Sequence, residues 1–201
     1  MKLQIENYWP DPEQTPGYKD AQIKRHQATF YKNRPRAQYE RVYKLTEKYF
    51  SPANSWLCLG ARNNWERDVF SELAGAQCLV ESLDISPLSG TDYIIDFNNP
   101  VPAEFLEKWG VIYTNALDHA IDAGKVLLDW MSCLKENGVF IWHWGGEGVV
   151  GGYIPSTASD CCSFSYDRSI KFLKHHNIKL LYDYTAEFGG SENGGFFALR
   201  K

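Results

Sequence analysis

Four polar residues close four apolar runs in this chain, and their types could together hold a nucleoside. The run SWLCLG ends at Gly60, QCLVESLD ends at Asp84, DYIIDF carries Asp96 at its end, and GVIYTN ends at Asn115. In open parallel sheets, ligands lie just beyond the carboxyl ends of the strands, where strand order reverses. A glycine at that edge lets a ligand approach the backbone, and the helix start beyond it offers unpaired amides. Asp84 follows Gly60 by 24 residues, about one helix and one strand, so its carboxylate falls at the lip of the neighbouring strand. An acid there can accept hydrogen bonds from both hydroxyls of a ribose. Asp96 and Phe97 pair a carboxylate with an aromatic face, which suits an exocyclic amine and a purine ring. Plainer readings stand beside these. Gly60 also reads as a simple strand-to-helix turn, Asp84 as a capping or solvated acid, and Asp96 as a turn cap. The loop GARNN lacks the repeated glycines of a G-x-G-x-x-G dinucleotide loop.

Two histidines lie near the same edge. His119 follows Asn115 by four residues, and His143 sits between Trp142 and Trp144 at the end of VFIWHW. A histidine titrates near neutrality and can take a proton from an acceptor, so both are candidate bases, His143 the better of the two because it stands at the carboxyl edge. His119 equally reads as a structural residue tying its loop to a carbonyl. His175 and His176 fall at a helix end, where positive charge suits the dipole without further purpose.

These residues need elements to carry them. RAQYERVYKLTEKYF, residues 36 to 50, places Val42, Leu45 and Tyr49 at helical spacing, and Ser51-Pro52 breaks it. After Gly60, Asn63 with Glu66 three residues on reads as a capping box for a helix buried through Trp65, Val69 and Leu73 and ended by Gly75. Asp122 opens a helix with Leu127, Trp130, Met131 and Leu134 on one face, stopped by Asn137-Gly138. Ser165 caps a helix in which Tyr166, Ile170 and Leu173 share a face. IKLLYDYTAEF and GGFFALR read as closing strands. The expectation is a β/α alternation with a reversed last strand at or near the sheet edge.

The bulk numbers bound the class. With 201 residues, 44% hydrophobic and 23% charged, the chain suits one globular α/β unit. Residues 1–50 read as an N-terminal arm and helix, and 51–201 as the main domain. Net charge is −4, so the surface as a whole is not built for nucleic acid. Eight Lys or Arg against three acids between Asp20 and Tyr49 read best as a solvated helix face. Five cysteines without C-x-x-C spacing argue against a zinc knuckle and against a disulfide framework. No metal site is expected. The N-terminal stretch has no apolar leader core and no run nears the ~20 residues that span a bilayer, so a cytoplasmic location is expected.

Together these segments resemble the Rossmann-like class I S-adenosylmethionine-dependent methyltransferases, from about residue 36 to 201. WLCLGARNNWERDVF is similar to the family's first motif, ESLDIS to the second and DYIIDF to the third. VIYTNALDHAIDAGKVLLDWMSCLKENGVFIW is similar to the fourth and fifth. Leu-Gly-Ala-Arg in the first motif and Asn-x-Leu-Asp-His in the fourth resemble a subgroup of methyltransferase-like proteins. The resemblance implies a three-layer αβα sandwich around a mostly parallel seven-stranded sheet with an antiparallel last strand. It implies S-adenosylmethionine as cofactor. Gly60, Ala61 and Arg62 would meet its methionine part, Asp84 the ribose, Ile85 the adenine, Asp96 and Phe97 the base, and Asn115 the methyl group. Arg62 and Asn64 stand where the first motif usually has its second and third glycines. The implied acceptor is a small molecule or sugar, lined by Trp142, Trp144, Tyr153 and Ser156, with His143 or His119 as base. Two other classes remain open: a nucleotide-dependent oxidoreductase, and a binding or scaffold protein that keeps the fold without the chemistry.

Overall fold

Unbroken burial along the apolar runs at residues 55–59 and 109–114 marks a sheet covered on both faces. In the computed structural model, residues 35–49, 54–143, 162–183 and 196–200 are described, with the short stretches 6–8, 20, 23–24 and 152–153. In chain order the elements are β1 (Glu6–Tyr8), α1 (Arg36–Tyr49), β2 (Ser55–Leu59), α2 (Trp65–Ala74), β3 (Leu79–Asp84), β4 (Tyr93–Ile94), β5 (Trp109–Thr114), α3 (Ala123–Met131), β6 (Leu134–His143), β7 (Gly152–Tyr153), β8 (Cys162–Ser165), α4 (Tyr166–His175), β9 (Lys179–Asp183) and β10 (Phe196–Arg200). Short 3-10 turns lie at Ala103–Phe105 and Leu117–His119.

Seven strands form the main sheet in the order β4-β3-β2-β5-β6-β10-β9. The first five run parallel. The last strand, β10, inserts between β6 and β9 and runs antiparallel to both, as the closing-hairpin pattern predicts. From β2 the chain steps outward to β3 and β4, then returns to β5 on the other side. The switch point therefore lies between β2 and β5, where a crevice opens beyond the strand ends.

Side chains alternate across a strand with period two, so one run feeds both faces. On one face Trp56, Cys58, Val111, Tyr113, Val139 and Ile141 pack with Tyr39 and Val42 of α1 and with Val69 and Phe70 of α2. On the other, Leu57, Leu59, Ile112, Phe140 and Trp142 pack with Leu127 and Trp130 of α3 and with Phe172 and Leu173 of α4. Helix α1 thus shares a core with the strands beyond residue 51. Trp56, Trp109, Trp130 and Trp142 are among the largest fully buried side chains, and truncating any one to alanine should cost about 3–5 kcal/mol. A second sheet, β1-β8-β7, pairs the N-terminal strand antiparallel with residues 162–165.

Several local expectations are corrected. The buried stripe of α1 is Tyr39, Val42 and Thr46, with Leu45 and Tyr49 only half-buried. The shift reflects Thr46, whose hydroxyl donates to the Val42 carbonyl at 2.8 Å and is thereby satisfied inside the core. The cap of α2 is Asn64 and not the expected Asn63. Asn64 is left-handed at φ 60°, and Asn63 accepts from the Trp65 amide at 3.3 Å. Helix α3 ends at Met131, so Leu134 and Asn137-Gly138 belong to β6 instead of to a helix and its stop. Asn137 adopts φ 62° within an irregularity that carries the partner of Trp109 from Leu134 to the Val111–Val139 pair. Gly138 is close to the Lys135 and Gly110 carbonyls, where a β-carbon would fall within 3.1 Å of both. DYIIDF forms only the two-residue β4, and Asp96 lies in the turn after it. Gly75 ends α2 at φ 74° and Asp122 caps α3, as expected.

Candidate functional site

The carboxyl edge of the sheet places the sequence-expected residues on one rung. The last registered pairs are Leu83 with Leu59, Leu59 with Thr114 and Thr114 with Trp142. One residue further along each parallel strand stand Asp84, Gly60, Asn115 and His143. Neighbouring strands are about 4.8 Å apart, so Asp84 and Asn115 lie roughly 10 Å from each other across Gly60. This edge sits at the topological switch point.

Gly60 has φ +71°, a conformation that side chains rarely adopt, and a β-carbon there would fall 2.5 Å from the Ala116 methyl. The Phe97 ring lies 3.4 Å from the same point. The amides of Gly60 and Ala61 both donate to the Leu83 carbonyl, at 2.9 and 3.0 Å, which ties the first loop to β3. Thr114 locks the other side: its hydroxyl donates to the Leu59 carbonyl at 3.2 Å and accepts from the Ala116 amide at 3.1 Å.

Arg62 follows in this loop. It is only 9% exposed, yet no acid or carbonyl accepts from its guanidinium among the described residues. None of its nitrogens is buried away from solvent, so the stem packs inward while the head stays open to water or to an anion. Asn64 does not crowd the loop. Its left-handed backbone is one that asparagine tolerates, and its side chain turns away towards Ser82 and Gly90.

Asp84 is 3% exposed and accepts from the Ser86 amide at 2.8 Å, so part of its capacity shapes the loop after β3. Ile85 is half-buried beside it. Asp96 accepts from both the amide and the side-chain nitrogen of Asn98 through one oxygen, each at 3.0 Å. Its other oxygen accepts nothing among the described residues. Phe97 is 8% exposed and is anchored by the Trp130 indole, which donates to its carbonyl at 3.0 Å. Asn115 is half-buried, and no partner holds its side chain among the described residues.

The histidines differ sharply. His143 is 2% exposed, with Nδ1 2.8 Å from the Tyr113 hydroxyl. His119 lies on the 3-10 turn after Asn115, half-buried, with Nε2 4.0 Å from an Asp118 oxygen. Trp142 is 1% exposed and belongs to the core between sheet and helices. Tyr153 lies on β7, paired with Phe164. Trp144 and Ser156 fall outside the described residues. Sequence reasoning missed Ser82 and Asp92. Ser82 stands two residues before Asp84, and only the fold reveals what it holds. Among the described residues, no three His, Cys, Asp or Glu side chains gather where they could hold a metal ion, and no helix is long and apolar enough to cross a membrane.

No family model matches the sequence, and no curated protein matches it. Solved structures do resemble it in fold. A 1,6-didemethyltoxoflavin-N1-methyltransferase of Burkholderia thailandensis, with bound 1,6-didemethyltoxoflavin and S-adenosylhomocysteine, superposes with TM-score 0.68 at 12% identity, covering 98% of this chain and 94% of that one. CalS10, an S-adenosylmethionine-bound amino pentose methyltransferase of Micromonospora echinaspora, gives 0.61 at 13% identity over 93% and 98%. A candidate zinc-dependent alcohol dehydrogenase of Rhodobacter sphaeroides gives 0.64 at 11% identity over 93% and 99%. At these identities the likeness establishes a Rossmann-like methyltransferase fold and leaves the chemistry to the site.

Proposed function

We propose that this chain is an S-adenosylmethionine-dependent methyltransferase acting on a small molecule, with sugars among the candidate acceptors. The observation that carries this reading is Arg62: a largely buried arginine whose guanidinium has no acceptor among the described residues, in the loop after Gly60. The amino-acid end of the cofactor offers the carboxylate such a group needs, and a bidentate Arg–carboxylate pair would fix its orientation. The remaining fit is consistent. Asp84 would accept from the ribose hydroxyls and Ile85 would cover the adenine. The uncommitted Asp96 oxygen would accept from the adenine amine beside Phe97. Asn115 would line the floor next to Gly60.

When bound, the sulfonium supplies an electrophilic methyl group. The protein's part is alignment, because in-line transfer gains most from held geometry. Gly60 and Ala116 keep the floor low, and Thr114 holds β2 and β5 at fixed spacing beneath it. A hydroxyl or ammonium acceptor also needs a base. His119 is the better placed of the two histidines, because it follows Asn115 on a turn and is not sealed into the core. His143 would instead hold the Tyr113 hydroxyl. The acceptor would be received near residues 144–156, where Trp144, Tyr153 and Ser156 remain the proposed lining; Trp142, sealed in the core, drops out of it.

Calorimetry with S-adenosylmethionine, S-adenosylhomocysteine and NAD tests the reading. Micromolar binding of the adenosyl pair, with NAD silent, is the expected result. Failure of both adenosyl compounds to bind would overturn it and favour a scaffold role.

A further inference from the structure

Asn64 sits between the two loops that form the candidate site, and its side chain joins them. It is 8% exposed and left-handed, at φ 60° and ψ 10°. Its Nδ2 donates to the Gly90 carbonyl at 2.7 Å, and its Oδ1 accepts from the Ser82 hydroxyl at 2.7 Å. The amide orientation follows from chemistry: a carbonyl only accepts, so the nitrogen must face Gly90. Asp92 completes the cluster. One of its oxygens lies 2.9 Å from both the Ser82 amide and the Ser82 hydroxyl, and 3.8 Å from Arg67 Nε. The loop from Asp84 to Asp92 is therefore held at its far end by the residue that also ends the Gly60–Asn63 loop.

We propose that Asn64 is a positioning residue that couples the two halves of the cofactor site, a role that rests on the cofactor reading above. Arg62 lies two residues before Asn64, and Asp84 begins the loop that Asn64 pins at Gly90. A ligand spanning both loops gains from their fixed separation, whereas a ligand touching one loop does not. The residue type is specific to the task. Glycine adopts the same left-handed turn but cannot clamp, and aspartate keeps the turn but sets an acceptor against the Gly90 carbonyl.

The test is Asn64→Gly and Asn64→Asp, each titrated with S-adenosylhomocysteine, which would span both loops, and with adenosine, which would reach only the second. S-Adenosylhomocysteine affinity should fall about tenfold in both variants, through two lost hydrogen bonds in Asn64→Gly and through one lost bond with a carboxylate set against the Gly90 carbonyl in Asn64→Asp, while adenosine loses at most about threefold. Amide hydrogen exchange over residues 86–92 should quicken in both unliganded variants. Equal losses for the two ligands, or none, would overturn the coupling. Unchanged exchange would overturn the clamp itself. Failure of the wild type to bind S-adenosylhomocysteine would instead overturn the cofactor reading, a result distinct from either.

Discussion

Arg62→Met separates the two ways in which a buried arginine can matter. The side chain is 9% exposed and has no acceptor among the described residues, yet none of its nitrogens is buried away from solvent, so in the unliganded protein water can serve the charge. A methionine of similar length retains the packing of the stem and removes the charge. The unliganded variant should therefore stay within about 0.5 kcal/mol of the parent, a shift of no more than roughly 2 °C in Tm for a chain of this size. With ligand a loss appears. Removing one partner of a desolvated, hydrogen-bonded charge pair costs about 2–5 kcal/mol, and the residual exposure of Arg62 places the effect near ~2–3 kcal/mol. S-Adenosylhomocysteine should bind roughly 30- to 150-fold more weakly. 5′-Methylthioadenosine lacks the amino-acid carboxylate and should change by less than about twofold. Calorimetry on both ligands, with thermal unfolding of the unliganded proteins, reads all three quantities. Equal weakening of the two ligands would refute the carboxylate assignment, and unchanged S-adenosylhomocysteine affinity would remove Arg62 from the site.

Three further outcomes follow from the same geometry. Asp84→Ala should reduce S-adenosylhomocysteine affinity at least about tenfold and cost about 1 kcal/mol of stability through the lost Ser86 amide bond; unchanged affinity in a folded variant would remove the ribose assignment. Gly60→Ala meets both a positive φ and the Ala116 methyl, so urea unfolding should show a loss of about 1–3 kcal/mol. Adding Ala116→Gly should restore part of that loss, and no restoration would mean that backbone strain alone is at work. Burial pushes the Cys133 thiol up to about 12 and the Cys58 thiol well above its ordinary value, whereas Cys78 is half-buried and rises less. Peptide mapping after brief alkylation at neutral pH should find Cys78 modified before Cys58 and Cys133. The neutral folded thiols stabilise fully below the ordinary value of 9.0, and that contribution should fade as pH rises from there towards about 12.

Much of the architecture was legible because burial leaves a period in the sequence. Trp56–Leu59 and Val111–Thr114 are buried on both faces, and such runs read as interior parallel strands. Asp122 and Gly75 were readable as helix ends because a cap depends on its nearest neighbours. Where distant partners decided, the pattern misled. KENG, with Asn137-Gly138, has the local signature of a helix stop, but pairing with β5 draws Leu134 into a strand and turns the asparagine into part of an irregularity. Asn63 had the residues of a capping box at the right spacing. The left-handed turn at Asn64, held by Ser82 and Gly90, displaced it.

The sequence by itself determined which residues end β2, β3, β5 and β6. Strand length follows from local hydrophobic periodicity, and the polar residue that stops the run is therefore local information. That Asp84, Gly60, Asn115 and His143 share one rung was decided by strand order and register, which depend on pairings between segments far apart in the chain. Tertiary structure alone also divided the two histidines. His143 is sealed against Tyr113, whereas His119 stays on a turn at the edge. It likewise left Arg62 buried without an acceptor among the described residues. Burial and hydrogen bonding belong to a residue's surroundings, and those surroundings exist only once the sheet has closed around it.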